Sequence, residues 1–246
     1  MRGYHYVWLF WSIGFLCPWL VLFLAMPEHR GVMWRTSLVT SLFGATEPIF
    51  VPKYWNPGSL FDLAQRTGFD IESFIFCFAV GGIGAVLYNT LTGQTLVPVS
   101  RAERRLPLHR FHRVALLAPF AAFVPLYLLP WNPIYPAITC LVIGAAAAVL
   151  CRPDLILKTF VGGFLFLVFY AIFMLTLRLS APGYIEQVWN LPVLSGVLMY
   201  GIPIEELLFG FTFGLYWTGV YEHLTWNRSK TERNRSPIAL DAHDVN

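Results

Sequence analysis

Long apolar runs set off by proline constrain this chain more than any other feature. A helix needs roughly 20 predominantly apolar residues to cross a bilayer. Seven stretches read as spans, at residues 6–26, 35–51, 70–91, 114–129, 134–150, 155–177 and 193–223. Turn-forming punctuation separates them: Pro27, the 52–58 stretch, Pro98 and Pro107, the 130–133 turn, Pro153, and Pro182-Gly183. Composition closes the soluble alternatives. Only 13% of the residues are charged and 57% are hydrophobic, too few charges to cover a wetted surface and too much apolar side chain for a disordered chain. The first run is too long for a signal-peptide core and lacks a small-residue cleavage site, so it reads as a spanning helix. The expected fold is all-α, a polytopic membrane protein with seven transmembrane helices.

The basic residues orient these spans. Arg30 and Arg35 follow the first. Arg101, Arg104, Arg105, Arg110 and Arg113 follow the third, Arg152 and Lys158 the fifth, and Arg228, Lys230, Arg233 and Arg235 the last. With seven spans all four groups fall on one side, and the loops on the opposite side hold only Lys53, Arg66 and Arg178. The expectation is a multi-pass cell-membrane protein with its N-terminus outside and its C-terminus in the cytoplasm. The net charge of +3 is too small to imply a nucleic-acid partner. Cys17, Cys77, Cys140 and Cys151 lie in or at the end of apolar runs without CxxC spacing, and read as buried small hydrophobes, not as metal ligands or disulfides.

The chain repeats itself. Gly68, Ile71, Glu72, Phe76, Phe78, Gly81 and Tyr88 align in one register with Gly201, Ile204, Glu205, Phe209, Phe211, Gly214 and Tyr221. A Trp-Asn pair precedes each copy, Trp55-Asn56 and Trp189-Asn190, and Arg35-Thr36 matches Lys158-Thr159 more weakly. The implied organisation is a first three-helix repeat at 1–92, a basic loop and linker helix at 93–130, a second repeat at 131–226, and a polar cytoplasmic tail at 227–246. Three helices per repeat is an odd number, so the linker helix restores direction and the halves are parallel repeats.

Ionisable groups in or near spans carry the functional signal, because each costs roughly 2.5–3.5 kcal/mol on insertion scales unless paired or solvated. Glu47, Asp70, Glu72, Glu205 and Glu206 cluster toward the outer ends of three spans, while Glu222 reads as an anchor at the inner end. Glu72 and Glu205 are equivalent in the repeat, each one turn before a phenylalanine, Phe76 or Phe209. On the last helix Glu205, Phe209, Thr212 and Tyr216 form one stripe. Desolvation disfavours the charged form of a carboxyl buried among aromatics, so such a group can keep its proton near neutral pH and act as an acid. The plainer role of an acid at a helix N-terminus fits a single glutamate; the duplication favours chemistry. Trp55, Asn56, Trp189 and Asn190 are candidates to position these carboxyls or close the mouth of a cavity.

Other chemistries lack their residues. There is no DxxxD segment to hold a magnesium diphosphate, no lysine in the last span for a Schiff base, and no mid-membrane histidine pair for haem or di-iron. Gly81-Gly82-Ile83-Gly84 lies inside a span and reads as helix packing. No cofactor and no metal are expected.

Around Pro203-Ile204-Glu205-Glu206 and Phe209 the sequence resembles the membrane-type lycopene cyclase domain family, the heterodimeric carotenoid cyclases of some bacteria and their fused archaeal and fungal relatives. The family's mark is Pro-x-Glu followed shortly by Phe, once per half. The first half departs from it, with Asp70 in place of the proline in Asp70-Ile71-Glu72. The resemblance implies redox-neutral cyclisation of the linear ends of lycopene to β-rings, an intramolecular lyase or isomerase activity on a lipid-soluble isoprenoid. An acid protonates a terminal alkene, an internal double bond attacks the cation, and a base removes a proton, with aromatic faces holding the cation. In this reading Glu205 is the leading acid, Glu72 its counterpart, Glu206 and Asp70 partners or bases, and Glu47 a further candidate. Phe76, Phe209, Tyr216 and the Trp-Asn pairs contact substrate. The alternatives are a cyclase of another isoprenoid or meroterpenoid, and a small transporter of two three-helix repeats joined by a linker helix.

Overall fold

The computed structural model describes residues 4–231, and they are mostly helical. The chain opens with α1 (Val7–Ala25), then α2 (Arg30–Ser41), a 3-10 turn at Leu42–Thr46 and the one-turn α3 (Glu47–Phe50). A short α4 (Leu63–Thr67) leads to α5 (Ile71–Thr92), then β1 (Gln94–Pro98), α6 (Arg101–Arg104) and α7 (His112–Tyr127). The second half holds α8 (Ile134–Cys151), α9 (Ile156–Ser180), the short α10 (Tyr184–Val188), a minimal hairpin β2–β3 (Leu198–Met199 and Ile202–Pro203), α11 (Ile204–Thr225) and β4 (Asn227–Thr231). Among the described residues four helices are long and apolar enough to cross a membrane: Val7–Ala25, Ile71–Thr92, Ile134–Cys151 and Pro153–Ser180.

The three other expected spans depart from simple apolar helices for local reasons. The 35–51 stretch is broken where Gly44 lies against Phe74; a Cβ there would sit 2.8 Å from the Phe74 backbone. The helix tightens into its 3-10 turn at that point and restarts at Glu47. The 193–223 stretch is helical only from Ile204. Its first part is a 3-10 turn and the β2–β3 hairpin, whose bend has Tyr200 and Gly201 at φ 51° and 74°. The linker helix α7 carries Pro119 and Pro125 within its 16 residues.

At each helix start the sequence gives a reason. Asp70 is extended and its side chain accepts from the Ser73 amide, capping α5. α11 has no side-chain cap and begins after Pro203, with the Ile204 amide bonded to the Val197 carbonyl. α5 ends on Gly93, left-handed at φ 62°.

α5 packs on α1 and α2, α11 packs on α8 and α9, and α5 meets α11 in the middle. Two aligned glycines permit the close contacts. A Cβ at Gly81 would fall 2.3 Å from the Thr40 Cβ on α2, and one at Gly214 would fall 2.6 Å from the Phe166 Cβ on α9. The halves also join through main chain. The Asn56 amide donates to the Val188 carbonyl at 2.8 Å and the Asn190 amide to the Tyr54 carbonyl at 2.9 Å, a bridge that sets Trp55 against Trp189.

Toward the other end of α11, Glu222 and Lys158 form a buried ion pair, joined by Asn89 and Ser229. Glu222 is therefore a buried partner and not an interfacial anchor. β4 pairs antiparallel with β1, Asn227 opposite Pro98 and Thr231 opposite Gln94. The first residues of the expected solvated tail thus form a strand, and 232–246 lie outside the described residues. Outward-facing side chains are strongly apolar, with Phe10, Leu24, Leu117, Leu128 and Phe164 all exposed.

Candidate active site

A cavity of about 370 Å³ lies between the halves. Its wall is aromatic and aliphatic, with Trp8 from α1, Phe43 and Phe50 from the α2–α3 region, Phe76 and Val80 from α5, Phe120 and Phe123 from α7, Leu141 from α8, Phe173 and Met174 from α9, and Phe209, Phe213 and Trp217 from α11. Trp55 and Trp189 line it from the bridged loops, their rings 5.3 Å apart, and Trp8 meets Trp55 edge-on at 4.7 Å. A continuous ring series runs along the second half: Tyr170 to Phe209 at 5.9 Å, Phe209 to Phe213 at 5.9 Å, and Phe213 to Trp217 at 5.4 Å.

Two carboxyls reach this cavity, Glu206 and Glu47. Glu206 is 5% exposed. The Tyr54 hydroxyl donates to its Oε1 at 2.5 Å, the Trp189 Nε1–H to the same oxygen at 2.8 Å, and the Tyr170 hydroxyl to Oε2 at 2.6 Å. Each is a donated hydrogen bond from a different element, a set that an acceptor-only carboxylate satisfies in full. Burial, and next the facing Glu206 carboxylate, push the Tyr54 phenol well above its ordinary value, so it stays a protonated donor. Glu47 is the opposite case. It is 7% exposed, its Oε1 has no partner, and the Ser73 hydroxyl beside the same cavity also has none.

Glu72 and Glu205, the acids singled out by the repeat, do not line the cavity. Both are buried, at 0% and 1% exposure, and each ties down the loop before its helix. Glu72 Oε1 accepts from the Leu60 amide at 2.7 Å and Glu205 Oε1 from the Ser195 amide at 2.8 Å, with the Tyr135 hydroxyl a second donor to Glu205 at 2.8 Å. Asp70 is the cap of α5 and also lies outside the cavity. The stripe of α11 that faces the cavity is Glu206, Phe209, Phe213, Tyr216 and Trp217, so the carboxyl on that stripe is Glu206, and Thr212 does not line the cavity. Phe76, Phe209, Tyr216, Trp55, Trp189 and Glu47 line the cavity. Asn56 and Asn190 do not; they supply the main-chain bridge, and the Asn190 side chain donates to the Lys53 carbonyl. Tyr54, Tyr170, Trp8 and Ser73 were not legible as site residues. A tyrosine in mid-span at 170 was the available signal, since a phenol buried in hydrocarbon needs a partner.

Residues 132–224 match the lycopene cyclase family. The matched segment holds Glu205 and Glu206, the donors Tyr170 and Trp189, and the second-half aromatic wall. The match supports a carotenoid cyclase function and a lipophilic isoprenoid substrate. No curated protein and no solved structure matches the chain.

Proposed function

We propose that this chain is a membrane-embedded lycopene cyclase that closes β-rings at the ends of the linear polyene by acid-initiated, redox-neutral chemistry. The observation that carries the reading is the aromatic cavity between the halves, with one carboxyl held by three donors and one with an unpartnered oxygen. A cavity of about 370 Å³ suits the end group of a polyene, with the rest of the chain leaving past Phe120, which is itself half-exposed. The apolar exterior fits lipid as the surrounding solvent, and the positions of the basic residues favour seven spans with the N-terminus outside.

Glu47 is the proton donor in this scheme. With no cation beside it and no hydrogen bond made at its Oε1 among the described residues, it suits the neutral acid. Its proton goes to the terminal alkene. The resulting carbocation is attacked by the internal double bond, forming the ring carbon–carbon bond and moving the positive charge into the ring. Trp55, Phe209, Phe213 and Trp217 present π faces to that charge. Glu206, held by Tyr54, Tyr170 and Trp189, faces the developing cation as a fixed negative charge and accepts the proton whose loss forms the ring alkene. One proton enters and one leaves, so no oxidant or reductant is needed. Glu72, Glu205 and Asp70 are positioning residues: they fix the loops and helix starts that carry the site.

The repeat adds support. The register that pairs Lys158 with Arg35 sets Tyr170 opposite Glu47, and the register that pairs Glu205 with Glu72 sets Glu206 opposite Ser73. At these matched positions each half brings one carboxyl and one hydroxyl to the cavity, with the carboxyl on exchanged helices. The test is expression in a lycopene-accumulating host with pigment analysis. Wild type is expected to convert lycopene to cyclic carotenoid, and unchanged lycopene overturns the assignment.

A further inference from the structure

Far from the cavity, three histidines and a cysteine converge from three parts of the chain. His109 ends the 3-10 turn Pro107–His109, His112 opens α7, Cys151 closes α8 and His223 lies in the last turn of α11. The Cys151 Sγ is 3.8 Å from the His109 Nδ1 and 3.6 Å from the His112 Nδ1. Ligand atoms of His112, Cys151 and His223 all lie within 4.8 Å of one another. Around a tetrahedral zinc ion with Zn–N of 2.0–2.1 Å and Zn–S of 2.3 Å, neighbouring ligand atoms are roughly 3.3–3.6 Å apart. The His112, Cys151 and His223 atoms need to draw in by about 1 Å to reach that spacing, and His109, within reach of the Cys151 Sγ, swings in as the fourth ligand.

His223 supplies the second observation. It is 1% exposed, and neither of its ring nitrogens has a hydrogen-bond partner among the described residues. A neutral imidazole always carries one donor and one acceptor, and leaving either buried and unmet costs about 1–3 kcal/mol. Another candidate ligand is adjacent: the His112 and His223 rings stand at 90° with centroids 4.5 Å apart. Trp226, left-handed at the end of α11, stacks on His112 at 4.0 Å and covers the group. The neighbouring Arg152 guanidinium is forked onto Asp154 at 2.7 and 2.6 Å, so its charge is compensated outside the cluster.

We propose that His109, His112, Cys151 and His223 bind a divalent transition metal of the zinc class in a closed, structural site. Three imidazoles and a thiolate fill a tetrahedron and leave no open position for chemistry. The distance agrees: His223 is roughly 25 Å along α11 from Glu206 at 1.5 Å per residue. The ion would pin the basic loop before α7 to the ends of α8 and α11. The spacing hid this site, because the four residues are spread over 109–223 and none forms a CxxC or HxxxH pair.

The test uses untagged full-length protein in detergent, stripped of metal and titrated with Co²⁺. One equivalent is expected to give the ligand-field bands of tetrahedral cobalt and a thiolate-to-cobalt charge-transfer band. Cys151→Ala should abolish the charge-transfer band, and His223→Gln should weaken Co²⁺ binding at least ~100-fold. Cys17→Ala, at the exposed cysteine on α1, should change neither. Wild-type protein with no such bands at one equivalent, or a charge-transfer band that survives Cys151→Ala, overturns the proposal. The wild-type spectrum decides even where a variant fails to fold.

Discussion

Replacing Glu206 by glutamine separates the cavity carboxylate from its neighbours most cleanly. The substitution preserves shape. The amide oxygen can accept from Tyr54 and Trp189, now at 2.5 and 2.8 Å from Oε1, and the amide nitrogen can donate to the Tyr170 oxygen, now 2.6 Å from Oε2. Three charge-assisted hydrogen bonds become neutral ones, and the phenols can rotate to suit, so folding should suffer by no more than about 1–2 kcal/mol. Activity should suffer more. A carbocation roughly 5 Å from a carboxylate gains about 3 kcal/mol at an effective dielectric near 20, and that attraction vanishes with the charge. A loss of this size in the transition state is ~10²-fold in rate, before any cost of losing the base. The assay is ring formation from lycopene by purified protein in lipid nanodiscs, with products separated by chromatography and folded protein quantified by thermal unfolding. Glu205→Gln, which alters a loop tie outside the cavity, should cost less than about tenfold. Glu206→Gln within about threefold of wild type, with Glu205→Gln inactive, would refute the reasoning and restore Glu205 as the acid.

Three further outcomes follow from the same geometry. Glu47→Gln should lower ring formation by ~10²–10⁴-fold, the usual contribution of a general acid, while the unfolding midpoint in detergent stays near that of wild type because no hydrogen bond to Oε1 is lost. Lys158→Met leaves Glu222 buried without its cation and should destabilise by about 3–5 kcal/mol; Lys158→Met with Glu222→Leu should recover most of this, read by thermal unfolding of the single and double variants. Gly144→Val should push Tyr216 into the cavity, since a Cβ there would lie 2.8 Å from the Tyr216 Cε2; overpacking of this kind costs about 1–3 kcal/mol, and turnover of lycopene should fall further than that of a shorter polyene.

The sequence made the helical architecture and the region of the site legible, because apolar length and the duplicated Gly-x-x-Ile-Glu motif are local signals. It drew attention to Glu205 and not to its neighbour Glu206, the one that lines the cavity, for a physical reason. A repeat preserves what holds each half together, and Glu72 and Glu205 share the task of accepting a loop amide. Glu206 and Glu47 are not duplicated as acids, standing opposite Ser73 and Tyr170, so a search for matched carboxyls passes over them although they face the cavity. The donors Tyr54 and Tyr170 come from a loop and from α9, and only the tertiary fold sets them on one carboxylate. The hairpin before α11 was hidden by its apolar residues, which hydropathy cannot tell from a helix; Gly196 and Gly201, both at positive φ, were the local sign of a turn. The buried Lys158–Glu222 pair was likewise invisible, since an acid and a base far apart in the chain read separately as anchors.

The most direct test of acid-initiated closure in the cavity is the mass of the product formed in deuterated water. A buried carboxyl exchanges its proton with solvent between turnovers, so wild-type protein in nanodiscs should place one deuterium in each new ring, with no change in oxidation state. Cyclic product without deuterium, or lycopene recovered unchanged, would contradict the account.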